Sequence, residues 1–246
     1  MFPLAIIGGS GLCRMDSLVI AGERLMSTPY GAPSAPLIEG SLQGKPVIFL
    51  ARHGPDHSIP PHRINYRANI WALREAGIGA IVAVAAVGGI SDEMAPEAIA
   101  VPQQIIDYSY GREQTYFDGL AHPLRHIDFT QPYSEALRQG LIAAARRAGL
   151  ALNAYGVYGC TQGPRLETAA EIIRLRRDGC DMVGMTGMPE AALARELELD
   201  YACCAVVANR AAGIHNRPIT MNEIETHLNN GMHKVVSLLH ALVECD

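Results

Sequence analysis

Ala80-Ile81-Val82-Ala83-Val84-Ala85-Ala86 carries no polar side chain at any position. A strand with one wet face alternates apolar and polar residues, so an unbroken run of this length reads as a strand covered on both sides, at the centre of a sheet sandwiched by helices. Similar short runs occur at Leu4 to Ile7, Pro46 to Arg52, Gln104 to Tyr108, Leu152 to Tyr158, Asp181 to Met185 and Tyr201 to Ala208. Helical periods separate them. Ile64, Ala68, Trp71 and Ala72 recur at i, i+4, i+7 and i+8, which predicts a helix over Ile64 to Ala76, and Leu137, Leu141, Ala144, Ala145 and Ala148 repeat the pattern from near Ser134. Thr168-x-x-Glu171 and Thr220-x-x-Glu223 are capping boxes that place two more helix starts, Pro189 suits the first turn of another, and Gly149 and Gly179 suit helix ends. The turn-rich segment Met26 to Pro36 is too short to link two domains. The expectation is a single α/β domain over 1–246, a mixed β-sheet flanked by helices.

Composition agrees. The chain has 246 residues, with 49% hydrophobic and only 6% aromatic, so its core must be built from Ala, Val, Ile and Leu. A chain of this mass should bury roughly 70% of its surface, enough for a core that needs no staples. Twenty Lys+Arg against 25 Asp+Glu give a net charge of −5. No basic face is available for nucleic acid, so none is expected as a partner. The longest apolar runs fall well short of the ~20 residues that span a bilayer, and Met1 to Ile7 lacks a basic flank, so neither a membrane nor a secretory leader is expected and the cytoplasm is the expected compartment. Six cysteines at 13, 160, 180, 203, 204 and 245 form no C-x-x-C pair and read as buried small hydrophobes rather than a zinc or disulfide framework.

Several strand ends carry chemistry. Gly8-Gly9-Ser10-Gly11 follows the first strand, and its glycines let backbone N–H groups converge on an anion with the Ser10 hydroxyl beside them; the plain alternative is a tight turn. It is not a dinucleotide fingerprint, because Arg14 stands where a third glycine is needed, nor a phosphate loop, because no Gly-Lys-Ser/Thr follows. Arg52-His53-Gly54 sits at the next strand's carboxyl edge, where open α/β sheets bind ligands, and a guanidinium beside an imidazole suits free phosphate; a ligand-free salt-bridged pair is the alternative. His53, His57 and His62 with Asp56 can be read as a metal cluster, but Gly54, Pro55, Pro60 and Pro61 deny them a common helical face, so no metal is expected. Glu167 lies in a loop before the Thr168 cap, where it can accept from a ligand N–H or serve the helix dipole. Thr186 precedes a helix start and can donate to an anion there. Asn209 ends an apolar strand, where an asparagine is either a turn former or a paired donor and acceptor.

Taken in order, Ile6 to Leu12 (Ile-Ile-Gly-Gly-Ser-Gly-Leu), Ala51-Arg52-His53-Gly54, Asn65 to Leu73 (Asn-Tyr-Arg-Ala-Asn-Ile-Trp-Ala-Leu), Gly163-Pro164-Arg165-x-Glu167-Thr168 and Gly184-Met185-Thr186-x-x-Pro189-Glu190 resemble the trimeric purine nucleoside phosphorylase and methylthioadenosine phosphorylase family. The resemblance covers nearly the whole chain. It implies phosphorolysis of a purine nucleoside to the free base and a ribose 1-phosphate, with inorganic phosphate as co-substrate, no metal and no organic cofactor. It also implies a homotrimer. Ser10, Arg52, His53, Thr186 and the backbone N–H near Ala86 correspond to the family's phosphate site, Met185 to the residue whose backbone holds the ribose hydroxyls, Leu166 to a base contact, and His126 to a residue supplied across the subunit interface.

The departures from the family decide the substrate expected. Ala85 stands where methylthioadenosine phosphorylases have threonine, and Leu166 where phenylalanine usually meets the base. Asn209 replaces the aspartate of adenine-specific members, and Ala211 replaces a second acid. An amide N–H can donate to a 6-oxo oxygen while its carbonyl accepts from N7, and Glu167 can accept the N1–H that 6-oxopurines have and adenine lacks. Asn209, Glu167 and His53 are therefore the expected catalytic groups. Met221 stands where methylthioadenosine phosphorylases have an apolar residue, although His215 or His227 can also be placed near the 5′ end. A 6-oxopurine pocket with an apolar 5′ wall predicts a 5′-methylthio-6-oxopurine nucleoside as substrate; inosine or guanosine, and methylthioadenosine, are the alternatives. A dinucleotide-dependent oxidoreductase, from another class, would need a ribose-binding acid after the second strand and has no use for Arg52-His53.

Overall fold

A computed structural model describes residues 3–12, 15–119, 122–215 and 218–244. Its described residues form one ten-stranded mixed sheet with five α-helices. In chain order the elements are β1 (Leu4–Gly8), β2 (Val19–Arg24), β3 (Leu37–Leu42), β4 (Lys45–Ala51), α1 (Tyr66–Glu75), β5 (Ala80–Gly89), β6 (Ile99–Ala100), β7 (Gln104–Asp107), α2 (Glu135–Arg147), β8 (Val157–Cys160), α3 (Ala169–Arg177), β9 (Met182–Gly184), α4 (Gly187–Glu196), β10 (Asp200–Arg210) and α5 (Met221–Val243).

The apolar run that opens the sequence analysis is the centre of this sheet. β5 is parallel to β1 along one edge and to β10 along the other. Successive residues alternate between two cores, as the pleat requires. Ile7, Ile81, Ala83, Ala85, Cys203 and Ala205 pack on the side covered by α1 and α4. Ile6, Val82, Val84, Ala202, Cys204 and Val206 pack on the other, under α2 and α5. Cys160, Cys180, Cys203 and Cys204 are buried thiols, whereas Cys13 and Cys245 lie outside the described residues.

The caps fall where their chemistry puts them. Asn65 Oδ1 accepts from Ala68 N to start α1, Ser134 Oγ from Leu137 N to start α2, and Thr220 Oγ1 from Glu223 N to start α5. Thr168 and Glu171 form the full reciprocal box of α3. Gly149 and Gly179 take positive φ one residue beyond the caps of α2 and α3. α4 becomes regular only from Pro189, because Met188 is extended at φ −120°, ψ 142°.

Two expectations are corrected. The strand expected over Leu152 to Tyr158 pairs only from Val157, because Gly156 turns into the positive-φ region and its N–H is taken by the Gln103 side chain; before it, Asn153 makes only an isolated bridge to Ala100. The β2–β3 hairpin is absent from the expected strands. It extends the sheet beyond β4, where β2 is almost wholly exposed and its sequence Val-Ile-Ala-Gly-Glu-Arg has no apolar period to betray it.

The pairing of β5 opens a site. β1 accompanies it only as far as Ala83, and β9 joins the same edge, antiparallel, at Gly88. Between those points no strand among the described residues occupies that edge, while β10 runs unbroken along the opposite one as far as a bulge at Ala208. The opening lies beyond the carboxyl ends of β1 and β4, the position at which such sheets hold ligands. No helix among the described residues is long and apolar enough to cross a membrane.

Core and surface should respond differently to truncation. Leu239, fully buried on α5, replaced by alanine should cost about 2–5 kcal/mol. Ile173→Ala, at a half-exposed position of α3, should cost no more than about 0.5 kcal/mol. Urea unfolding midpoints would measure both, and equal shifts would contradict the packing described.

Candidate functional site

The opening in the sheet is the floor of a cavity of about 430 Å³. Its walls come from the loops after β1, β4, β8, β9 and β10 and from the start of α5. Ser10, Arg52, His53, Ala86, Leu166, Glu167, Met185, Thr186, Asn209 and Met221 all line it. Of the expected ligands only His126 stands elsewhere, exposed on the segment between β7 and α2.

Arg52 is the most constrained of these groups. Its guanidinium is 1% exposed and forms a two-pronged pair with Glu190, Nε to Oε2 at 2.7 Å and Nη2 to Oε1 at 2.8 Å, while Nη1 donates to Val84 O at 2.9 Å. Tyr201 donates its hydroxyl to the same Glu190 Oε1 at 2.8 Å. Burial disfavours the charge, but Glu190 more than restores it, so Arg52 is held protonated. A guanidinium has five N–H groups, and these contacts use three. The others remain on Nη1 and Nη2. Gly9 passes so close that a Cβ there would lie 2.8 Å from Nη1, which is why the loop needs a residue without a side chain.

His53 is not a second cation. Burial, then the neighbouring Arg52 charge, lowers its pKa to about 4, and Nδ1 lies 2.8 Å from Ile59 O. The neutral ring donates there and keeps Nε2 as an acceptor. The Ile59 N–H donates back to His53 O at 3.0 Å, locking the loop from both ends. His57 packs against His53 with ring centres 4.5 Å apart and the planes tilted by 44°, and its Nε2 lies 3.3 Å from Ser10 Oγ. Burial lowers its pKa as well. This end of the cavity therefore combines one fixed positive charge with neutral donors and acceptors, Thr186 at the head of α4 among them.

At the far end, the bulge at Ala208 turns the chain so that Asn209, paired with Gly88, reaches the cavity. One Nδ2–H donates to Arg210 O at 2.7 Å, and the amide keeps a second N–H and its Oδ1 for a ligand. Glu167 faces it from the loop before α3, fixed by the Thr161 hydroxyl on Oε1 at 2.6 Å. Ile219, Met221 and Ile224 make an apolar wall where α5 begins. His215 and His227 do not line this cavity; they border a neighbouring cleft, and His227 Nδ1 lies 3.1 Å from Glu97.

Three participants received no role in the sequence reading. Glu190 closes the motif that begins at Gly184 but looks like an ordinary acid in a helix's first turn, Tyr201 looks like a core residue, and Arg112 sits in an irregular stretch with no period or motif. Nothing local shows what they do, because each acts on residues distant in the chain.

Comparison with known proteins supplies the family. The model of the phosphorylase superfamily matches residues 3–244. A probable S-methyl-5′-thioinosine phosphorylase of Pseudomonas syringae is 58% identical over 239 residues, covering 97% of each chain. The 6-oxopurine nucleoside phosphorylase of Pyrococcus furiosus is 45% identical, covering 98% of this chain and 91% of that one. Among solved structures, a methylthioadenosine phosphorylase from Schistosoma mansoni in complex with adenine superposes with a TM-score of 0.94 at 30% identity, covering 99% of this chain and 91% of its own. With the matched region spanning β1 through α5 and every loop of the cavity, the chain belongs to the phosphorylase superfamily.

Proposed function

We propose that this enzyme cleaves S-methyl-5′-thioinosine with inorganic phosphate, giving hypoxanthine and 5-methylthioribose 1-phosphate. One observation carries the choice of substrate. A single cavity joins the Arg52 end, the Asn209–Glu167 pair and a wall of Ile219, Met221 and Ile224, and the histidines that line it, His53 and His57, come from the loop after β4 rather than from α5. An apolar wall favours a methylthio group over a hydroxyl, which would lose its hydrogen bonds to water without replacement. The 58% identical relative named for this activity points the same way.

The mechanism follows from the ends of the cavity. Phosphate held by Ser10, Arg52, Thr186 and the backbone near Ala86 faces the anomeric carbon. Neutral His53 accepts a hydrogen bond at Nε2 from the P–OH of a monohydrogen phosphate and so aims the charged oxygens at the sugar. As the C1′–N9 bond breaks, positive charge grows on the ribose and negative charge on the purine. The phosphate stabilises the first and forms the new C1′–O bond. Asn209 and Glu167 serve the second: the proton lost by the monohydrogen phosphate ends, by way of solvent, on N7, so that the base leaves neutral, with the amide accepting from N7–H and donating to O6 while the carboxylate accepts from N1–H. Met185 holds the ribose and Leu166 lies against the base. The work is positioning and fixed electrostatics, and neither a metal nor an organic cofactor enters it. In this reading residues 1–246 act as one domain, in a cytoplasmic homotrimer whose neighbouring subunit supplies His126.

The Asn209–Glu167 pair alone fits inosine and guanosine equally, as the Pyrococcus furiosus relative's name illustrates. Turnover of methylthioinosine, methylthioadenosine, inosine and guanosine, followed by ultraviolet absorbance with and without phosphate, separates the readings. Methylthioinosine should lead, and only with phosphate. Inosine turned over as well would remove the role given to Met221, and cleavage without phosphate would remove phosphorolysis.

Asn209→Asp should move preference toward 6-aminopurines by about 1–3 kcal/mol of relative kcat/KM. An unchanged ratio would mean that another group reads the base.

The lowered pKa of His53 has a sign that can be checked. The unfolded chain, with a histidine near the ordinary 6.5, binds a proton that the folded chain refuses until about 4. Stability from this group is thus complete above about 6.5 and is lost as pH falls toward 4, by about 3 kcal/mol in all. Urea titrations at several pH values should show this loss in the native protein and a shallower one in His53→Gln; identical slopes would contradict it.

A further inference from the structure

Arg112 does not line the cavity, yet its one guanidinium reaches the backbone of the loops that do. Nη1 donates to Met185 O at 2.9 Å and lies 2.5 Å from Met188 O. Nη2 donates to Thr161 O at 3.1 Å and Gln162 O at 2.9 Å, and Nε to Gln162 Oε1 at 3.2 Å. Nη1 also lies 3.3 Å from the Tyr66 hydroxyl, which itself donates to Pro61 O at 3.0 Å. Every one of these acceptors is neutral. The charge is therefore not answering a carboxylate; the planar fork is spanning carbonyls that irregular loops leave without strand or helix partners.

We propose that Arg112 is a positioning residue for the nucleoside half of the site. The contacts divide along the chemistry. Thr161, held through its carbonyl, is the residue whose hydroxyl fixes Glu167 Oε1 at 2.6 Å, and its N–H and hydroxyl both reach Gly184 O, at 2.8 Å and 3.2 Å. Arg112 thus ties the loop that bears Glu167 to the loop that bears Met185. The phosphate-binding loops after β1 and β4, with Ser10, Arg52 and His53, receive none of its hydrogen bonds; they are held by Glu190, Val84 O and Ile59 instead. Of the groups assigned to phosphate only Thr186, between Met185 and Met188, sits on a loop that Arg112 holds. Base and ribose contacts should consequently depend on Arg112 more strongly than phosphate capture. Lysine cannot replace it, since an ammonium has three donors and no plane.

The inference rests on the cavity binding a purine nucleoside. Turnover by the unmodified enzyme tests that premise, and ratios on whichever nucleoside it uses best test Arg112. Arg112→Ala should lower kcat/KM for the nucleoside at saturating phosphate by about 100-fold. Arg112→Lys, which keeps the charge, should lose about tenfold. Phosphate affinity, measured by calorimetric titration without nucleoside, should change by less than about threefold in either variant. In the Glu167→Ala background Arg112→Ala should cost much less than it does alone, because the group it positions is gone. Nucleoside kcat/KM within threefold of the unmodified enzyme in Arg112→Lys overturns the proposal. So does an equal loss of phosphate affinity, or additivity with Glu167→Ala, since either marks a general structural role. If Arg112→Ala fails to fold, Arg112→Lys carries the same three readouts.

Discussion

The buried pair between Arg52 and Glu190 is the constraint on which the site depends. Two charges taken out of water are tolerated only when nearly every hydrogen bond is answered. Here Glu190 receives two N–H groups of Arg52 and the hydroxyl of Tyr201, while Val84 O takes a third N–H. Four elements thereby meet at one guanidinium: the end of β4, the head of α4, the start of β10 and the middle of β5. Gly9 then lies directly against it, so the course of the first loop is dictated by an ion pair it does not join. Breaking such a pair from one side typically costs about 3–5 kcal/mol. The arrangement fixes a positive charge at the cavity's edge without letting it move toward solvent or toward its own partner.

The two ends of the cavity are organised by different means. The Arg52 end has that fixed charge, a neutral histidine and backbone carried by the central parallel strands, with Thr186 added from the head of α4. The other end hangs on loops after β8 and β9, whose conformations come from side chains reaching across, Arg112 and Thr161 foremost. The Ala208 bulge adds Asn209 to the second set by re-aiming the end of an otherwise regular strand. Rigid sheet on one side and tethered loop on the other is the arrangement expected where one reactant is invariant and the other must be selected.

Much of this was legible in the sequence where the cause is local. The double-faced strand at Ala80 to Ala86, the helix start near Ser134, the caps at Thr168 and Thr220, and the glycine turn after Ile7 each follow from neighbouring residues alone. The cavity residues were legible because their motifs are contiguous words placed at strand ends. The rest depends on partners far apart in the chain. Arg52 was read as a ligand, whereas Glu190, 138 positions later, claims much of its hydrogen-bonding capacity. His53 was read as an imidazole beside that guanidinium, and its burial next to Arg52 is what makes it neutral. The β2–β3 hairpin has no periodicity because little of it is buried, and Gly156 cuts short a strand whose composition gives no warning.

The unpaired edge of β5 between Ala83 and Gly88 has a consequence for how this enzyme can vary. A strand edge left without a neighbour presents main-chain donors and acceptors whose positions do not depend on which side chains the strand carries. Anything bound there takes the place of a missing strand. Replacement of threonine by Ala85 changes the shape and the hydroxyl count at that edge but leaves its amides where they were. Substitutions along Ala85 to Val87 can therefore adjust the room at that edge while its main-chain donors and acceptors stay where they are.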